Sequence, residues 1–200
     1  MLETNQLDWK KQDGLIPAVV QDADTARVLM LGYMNREALA ETQRSNRVTF
    51  YSRSKQRLWT KGETSGNYLD FVAAEKDCDA DALLVTARPQ GPTCHLERTS
   101  CFEGPGTHLS VLGEVDQVIG ERGSADSESS YTARLLETGP AGIARKLGEE
   151  AVETVLAAVN ESDERLTEEA ADLIYHLLVL LRSRGLSLKD ITARLAARRR

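Results

Sequence analysis

Cysteine is scarce in this chain: three residues in 200, an odd number that cannot pair off completely. In a reducing compartment such thiols serve as core residues, catalysts or metal ligands rather than as disulfides. Long apolar runs are missing too. The longest, residues 177–181 with their neighbours, falls well short of the ~20 residues that cross a bilayer. The N-terminus, Met1-Leu2-Glu3-Thr4-Asn5, lacks the basic flank and apolar stretch of a secretory signal, so a cytoplasmic protein with no membrane partner is expected. Positive charge is also in short supply, with a net charge of −6 and a pI near 5.2. That excludes a general nucleic-acid binder, which needs a basic face. The one basic run, Arg198-Arg199-Arg200, reads as a solvated helix end whose charges suit the helix dipole. There is no internal repeat and no low-complexity tract.

What is present is the mix of a soluble globular protein, 41% hydrophobic and 28% charged. A length of 200 residues allows one large domain or two small ones, and the change of texture along the chain favours two. Strand-like segments fall at 16–20, 27–34, 48–51, 68–74 and 82–87, with one short helix running from an Asn35 cap through Ser45. From about residue 109 the apolar period becomes helical. Helices are expected around 109–119, 143–159, 166–184 and 188–199, with a polar gap at 123–130 and Gly185 as a stop. The expected fold is therefore α+β in two domains. A β-rich pseudo-barrel-like domain spans 1–107, an all-α domain spans 108–200, and the Gly/Pro-containing stretch 102–108 is the hinge. His108, in that hinge, reads as an ordinary surface residue.

Two clusters in the front half carry chemistry. Asp77-Cys78-Asp79-Ala80-Asp81 places carboxylates at alternate positions. If the stretch is extended, they share one side and Cys78 points to the other. Oxygen donors grouped this way suit Mg²⁺. A calcium EF-hand is excluded, because Ala82 stands where that loop requires Gly and Arg88 where it requires Glu. Cys78, Cys94 and Cys101 would bind Zn²⁺ and leave a fourth position for water, as catalytic sites do. On spacing alone they fit buried core thiols equally well. The Pro-Cys-x-x-Cys pair of zinc deaminases is absent.

The blocks Phe50-Tyr51-Ser52-Arg53-Ser54, Leu58 through Gly66, Asp77 through Asp81 and Cys94-His95 through Cys101-Phe102 are specific. Over residues 10–105 the chain resembles phosphoribosyl-AMP cyclohydrolases. The resemblance implies zinc on Cys78, Cys94 and Cys101, magnesium on Asp77, Asp79 and Asp81, and a homodimer with the metal sites at the subunit interface. It also implies His95 in water activation. Leu96-Glu97 departs from the Thr-Gly more usual there. Lys61 is a second catalytic candidate, and Arg53, Trp59, Thr64, Ser65 and Gly66 are candidate substrate contacts through charge and loop N–H groups. Arg53, Lys55, Arg57 and Lys61 also suit a plain solvated strand face.

In the back half, Glu149, Glu150 and Glu153 share one side of a helix, while Val152, Val155, Leu156 and Val159 mark the stripe expected to pack. The next helix is apolar nearly all round and is expected to be buried. Asp172 within it then needs a partner, either His176 one turn on or a metal shared with the glutamates. Glu169 lies on the same face. A short connection makes the helices antiparallel and brings the carboxylates together. This Glu-Glu-x-x-Glu and Glu-x-x-Asp pairing resembles the all-α nucleoside-triphosphate pyrophosphohydrolases. The blocks Ser130 through Leu135, Lys146 through Glu150 and Asp172 through Leu178 resemble, more narrowly, phosphoribosyl-ATP pyrophosphohydrolases over residues 109–197. That implies Mg²⁺ held by Glu149, Glu150, Glu153, Glu169 and Asp172. Arg134, Arg145 and Lys146 are either offsets for phosphate charge or surface cations.

The two resemblances name successive reactions on nucleotide substrates. Two other readings stay open: a zinc-stapled dimerisation module with a helical tail, and a house-cleaning nucleotide pyrophosphatase with a structural front domain. If the thiols and the carboxylate cage serve separate domains, Cys94→Ser or Cys101→Ser removes bound zinc and ring opening and spares pyrophosphate release. Full zinc occupancy in both variants, read by metal analysis, would overturn the zinc assignment.

Overall fold

The computed structural model describes every residue except Met1, Gln12, Glu103, 105–108, 124–129, Arg199 and Arg200. Most of the expected hinge with His108, most of the polar gap, and the end of the arginine run lie outside the described residues. The chain divides into two compact units, Met1–Ser110 and Val111–Arg200, strand-rich and helical respectively, so the α+β class holds.

In the first unit β1 (Ile16–Asp22), β2 (Val28–Met34), β5 (Leu69–Lys76) and β6 (Leu83–Pro89) form a sheet in the order β2-β1-β6-β5. Only the β1–β6 pair is parallel, running from Ala18 opposite Leu83 to Asp22 opposite Ala87. β3 (Thr49–Ser52) and β4 (Arg57–Thr60) make a separate antiparallel ribbon. The four-residue β4 was not legible as a strand of its own, because its one apolar pair, Leu58-Trp59, is too short to show a period. Helix α1 (Arg36–Ser45) starts where expected: the Asn35 side chain accepts the Ala38 N–H at 2.8 Å. Along β1 burial alternates strictly, and Ile16, Ala18 and Val20 meet Leu29, Met34, Leu39, Phe50, Leu69, Leu83 and Val85 in the core.

The second unit holds α2 (Ser110–Arg122), α3 (Tyr131–Glu137), α4 (Gly139–Asn160), α5 (Asp163–Ser183) and α6 (Leu188–Arg198). Helix α3 escaped the sequence reading because seven residues are too few to show a helical period. Gly185 ends the α5 region in the left-handed conformation, φ +70°. Arg182 of α5 grips Asp116 of α2 through two bonds of 2.9 and 2.7 Å, and the Leu188 N–H adds a third at 3.3 Å. The fully buried apolar set here is small: Ile119, Leu135, Ile143, Leu178 and Val179.

Two expectations about this unit are corrected. Val152, Val155, Leu156 and Val159 face outward, 50–75% exposed, instead of packing within the chain. Helix α5 is not buried all round, for Ala171, Asp172, Ile174 and Leu177 are exposed. One chain of this size has no second layer to lay upon that apolar stripe.

Gly32 in β2 is a packing requirement. A Cβ there would lie 2.4 Å from the ring of Phe50, which is 1% exposed and stacked on Trp59 at 5.6 Å. Gly32→Ala is expected to cost about 1–3 kcal/mol through overpacking. A lower denaturation midpoint of the first unit, with the second unit unmoved, checks this.

Candidate functional site

The carboxylates of 77–81 meet by a route other than the expected one. The segment is the turn between β5 and β6, not a strand. Asp77 Oδ1 accepts the N–H groups of Asp81 and Ala82 at 2.9 and 3.1 Å, and Ala80 takes φ +63°. The tight loop gathers ligand oxygens of Asp77, Asp79 and Asp81 within 4.8 Å of one another. Cys78 is exposed, with Sγ 4.0 Å from Asp79 Oδ1, so alternation along a strand no longer sets its direction. A cation already sits among these acids. The Lys11 ammonium binds Asp79 and lies 2.8 Å from Asp81, which lowers the Asp79 pKa and raises that of Lys11. Nothing in the sequence pointed to Lys11, which reaches the loop from 68 residues away.

A cavity of about 370 Å³ lies between the 61–67 loop and residues 92–101. Trp59, Lys61, Thr64, Ser65, Cys94, His95 and Cys101 line it together. The loop depends on Gly62 at φ +91°, where a Cβ would strike the Asn67–Tyr68 backbone at 2.6 Å. Lys61 is 8% exposed and donates to the Asn67 carbonyl at 3.3 Å. Burial pushes its pKa down, opposed by Cys101 and Cys94. Burial, then the charge of Cys94 and a hydrogen bond with it, pushes the Cys101 thiol up against the pull of Lys61. His95 is exposed at the rim, Nδ1 3.9 Å from Cys94 Sγ. Arg53 stacks on the Tyr33 ring at 3.9 Å and is not among the lining residues. Gly66, at φ +80°, shapes the loop without lining the cavity.

Thr93, which sequence reasoning passed over, also lines the cavity. Its Oγ1 is the single buried side-chain polar atom without a hydrogen-bond partner among the described residues. An orphan hydroxyl costs about 1–3 kcal/mol and points to a site completed by something further. Two facing thiols fit part of a tetrahedral zinc set. The third does not join them: among the described residues, no group of three metal-binding side chains within 4.8 Å contains a cysteine.

In the helical unit, α4 and α5 pack together and bring ligand oxygens of Glu150, Glu169 and Asp172 within 4.8 Å of one another. The buried acids are Glu150 and Glu169, each 4% exposed. Asp172 is exposed, which removes the expectation that its charge is the costly one. Glu153 adjoins the group: loss of solvent first, then the charges of Glu169 and Glu150, raise its carboxyl above the usual range. Glu149 is exposed and lies 3.5 Å from Lys146 Nζ. Lys146 sits 2.7 Å from Glu150, and Arg165 binds Glu169 and reaches Glu168 at 2.8 Å. Arg134 is exposed on α3. Both acidic groups, all oxygen donors, could hold a metal ion.

Residues 30–103 match the phosphoribosyl-AMP cyclohydrolase family, and residues 112–199 the phosphoribosyl-ATP pyrophosphohydrolase family. The chain is 61% identical over 97% of its length to the histidine biosynthesis bifunctional protein HisIE of Xylella fastidiosa strain Temecula1, of which it covers 93%. It is 54% identical over 98% of its length to the protein of that name from Escherichia coli strain K12, covering 97%. The protein of that name from Yersinia pestis is 53% identical over 98% of the chain, with 96% covered. Fold, sites and matches define a bifunctional, two-domain hydrolase of a metal-dependent type. The chain belongs to the family of bifunctional histidine-biosynthesis proteins. No helix among the described residues is long and apolar enough to cross a membrane.

Lys146 and Arg165, both partly exposed, offset only part of the repulsion among two buried carboxylates and a third beside them. Glu169→Gln is therefore expected to raise the melting temperature of the metal-free protein while weakening divalent binding. Wild type should gain about 2.7 kcal/mol when Mg²⁺ reaches 100 times its Kd. Melting with and without Mg²⁺ checks this, and an undiminished Mg²⁺ shift in the variant would remove Glu169 from the site.

Proposed function

We propose that the chain carries out two successive hydrolyses in the cytoplasm. Residues 108–200 release pyrophosphate from phosphoribosyl-ATP, and residues 1–107 then open the adenine ring of phosphoribosyl-AMP by adding water at C6. The observation that carries this reading is the pair of family matches in one chain, each falling on a unit with its own donor cluster.

In the pyrophosphate-releasing half, Glu150, Glu169 and Asp172, with Glu149 and Glu153 beside them, would hold Mg²⁺. A divalent ion held there would supply positive charge and Lewis acidity for hydrolysis of the triphosphate. Lys146 neutralises Glu150 in the free protein and is placed to turn to the triphosphate once the acids have a cation. Arg134 offsets phosphate charge from α3.

In the ring-opening half, Cys94 and Cys101 would hold Zn²⁺ with Cys78. Zinc held there lowers the pKa of a coordinated water toward about 7. His95, at the rim beside Cys94, takes the proton from the attacking water. Lys61 sets a positive charge against the thiolates, and Trp59 supplies an apolar wall for the purine. Thr64, Ser65 and Gly66 hold the phosphate with loop N–H and hydroxyl groups, and Arg53 reaches it from outside the cavity. Asp77, Asp79 and Asp81 would hold Mg²⁺ once Lys11 yields its place.

The assembly is a homodimer. Cys78 lies apart from the other two thiols, and a two-fold partner supplies it. The outward apolar stripe Val152, Val155, Leu156 and Val159 supports helical packing between chains as well. A zinc-stapled module without activity would need a closed four-ligand site, and the cysteines offer three.

The test follows both products from phosphoribosyl-ATP. Wild type should release pyrophosphate and then the ring-opened nucleotide. Cys78→Ser and Cys101→Ser proteins should each stop after pyrophosphate. Mixed with subunit exchange, they should regain ring opening, because one site of the mixed dimer carries both lesions and the other is intact. Inactive heterodimers would mean that each zinc site comes from a single chain, and wild-type release of pyrophosphate from ordinary nucleoside triphosphates at equal efficiency would favour a house-cleaning enzyme.

A further inference from the structure

The side chain that faces Glu150 from within the helix pair is His176, 4% exposed and held on every side. Its Nδ1 lies 2.8 Å from the backbone carbonyl of Asp172 one turn earlier, so Nδ1 carries a proton and donates it. The same Nδ1 lies 3.7 Å from Glu150 Oε1. On the far edge Nε2 is 3.1 Å from the Tyr131 hydroxyl, which comes from α3. With Nδ1 protonated, Nε2 is free to accept that O–H. The rings of Tyr131 and Tyr175 stand edge-on to the imidazole, at 90° and 86°. Tyr175 is pinned in turn by a 2.8 Å bond to Thr132.

From this geometry we propose that His176 is a positioning residue of the pyrophosphate-releasing site, holding Glu150 in place while the Tyr131 hydroxyl fixes the imidazole. The proposal rests on the reading of Glu150 as a metal ligand. His176 spends its Nδ1 proton on the Asp172 carbonyl at 2.8 Å and packs against Glu150 Oε1 at 3.7 Å, a contact without a hydrogen bond, so its locked ring bounds the space open to that carboxylate. Lys146 approaches the same Glu150 oxygen but cannot do this work. Its side chain is 36% exposed on a flexible stem, whereas that of His176 is 5% exposed and tied at both nitrogens. A ligand oxygen oriented from behind needs less reorganisation when a divalent ion binds, and outer partners of this kind are worth about 10- to 100-fold in metal affinity.

The experiment titrates Mn²⁺ into the full-length protein by electron paramagnetic resonance, with Glu150→Gln as the reference that lacks the site. His176→Leu should weaken the Mn²⁺ binding that Glu150→Gln abolishes by about 10- to 100-fold. High Mg²⁺ should restore its pyrophosphate release. His176→Asn keeps an N–H close to the place of Nδ1–H and should recover most of the affinity. Tyr131→Phe should lose only a few-fold. Wild-type Mn²⁺ affinity in a folded His176→Leu protein, with Glu150→Gln weakened, overturns the positioning role alone. A shifted melting temperature with unchanged affinity does the same. Unweakened binding in Glu150→Gln itself overturns the ligand assignment and this inference with it.

Discussion

Packed helices α4 and α5 hold two glutamates out of water facing one another, and that repulsion governs the back unit. Two like charges about 5 Å apart cost on the order of 3 kcal/mol at the effective dielectric of a protein. Glu150 and Glu169, each 4% exposed, sit within that range, with Asp172 as a third party. The cluster persists because cations and donors ring it. Lys146 approaches Glu150, Arg165 binds Glu169, and the His176 imidazole backs Glu150. None of these matches the charge density of a divalent ion at the centre. A divalent ion there would relieve the repulsion that these partners leave.

The front unit meets a related problem with different chemistry. Its three aspartates lie in a solvated turn, where repulsion is screened and Lys11 suffices as a stand-in. Of its thiols only Cys94 is buried, and partial loss of solvent pushes the exposed Cys101 toward the protonated state. A bound cation would reverse that, since coordinated thiols give up their protons. The orphan Thr93 hydroxyl, the depressed Lys61 ammonium and the raised Cys101 thiol all lie around one cavity. An unpaired buried hydroxyl beside two groups with displaced pKa values marks a candidate site.

Both units expose groups that local pattern would have placed inside. The α4 stripe is patterned like a core face and lies open, and Cys78 waits on a turn apart from its fellow thiols.

By itself the sequence determined the two-domain α+β layout and most strands and helices, and it marked thiols and carboxylates as candidate ligands. Those follow from local rules: the period of apolar residues, an Asn35 cap, a Gly185 stop, and the affinity of thiol and carboxylate for particular cations. Its errors came where local rules end. Alternation would gather the carboxylates of 77–81 only if the segment were extended, and the turn held by Asp77 Oδ1 places them together by another path. Asp172 was judged buried from its apolar neighbours, yet only the packing of α4 on α5 decides which face of α5 is covered, and it covers Glu169 and His176. Lys11, Thr93 and the Tyr131–His176–Glu150 chain join residues far apart along the chain. No window of sequence contains such contacts, because burial and pairing are properties of surfaces brought together rather than of neighbours in the chain.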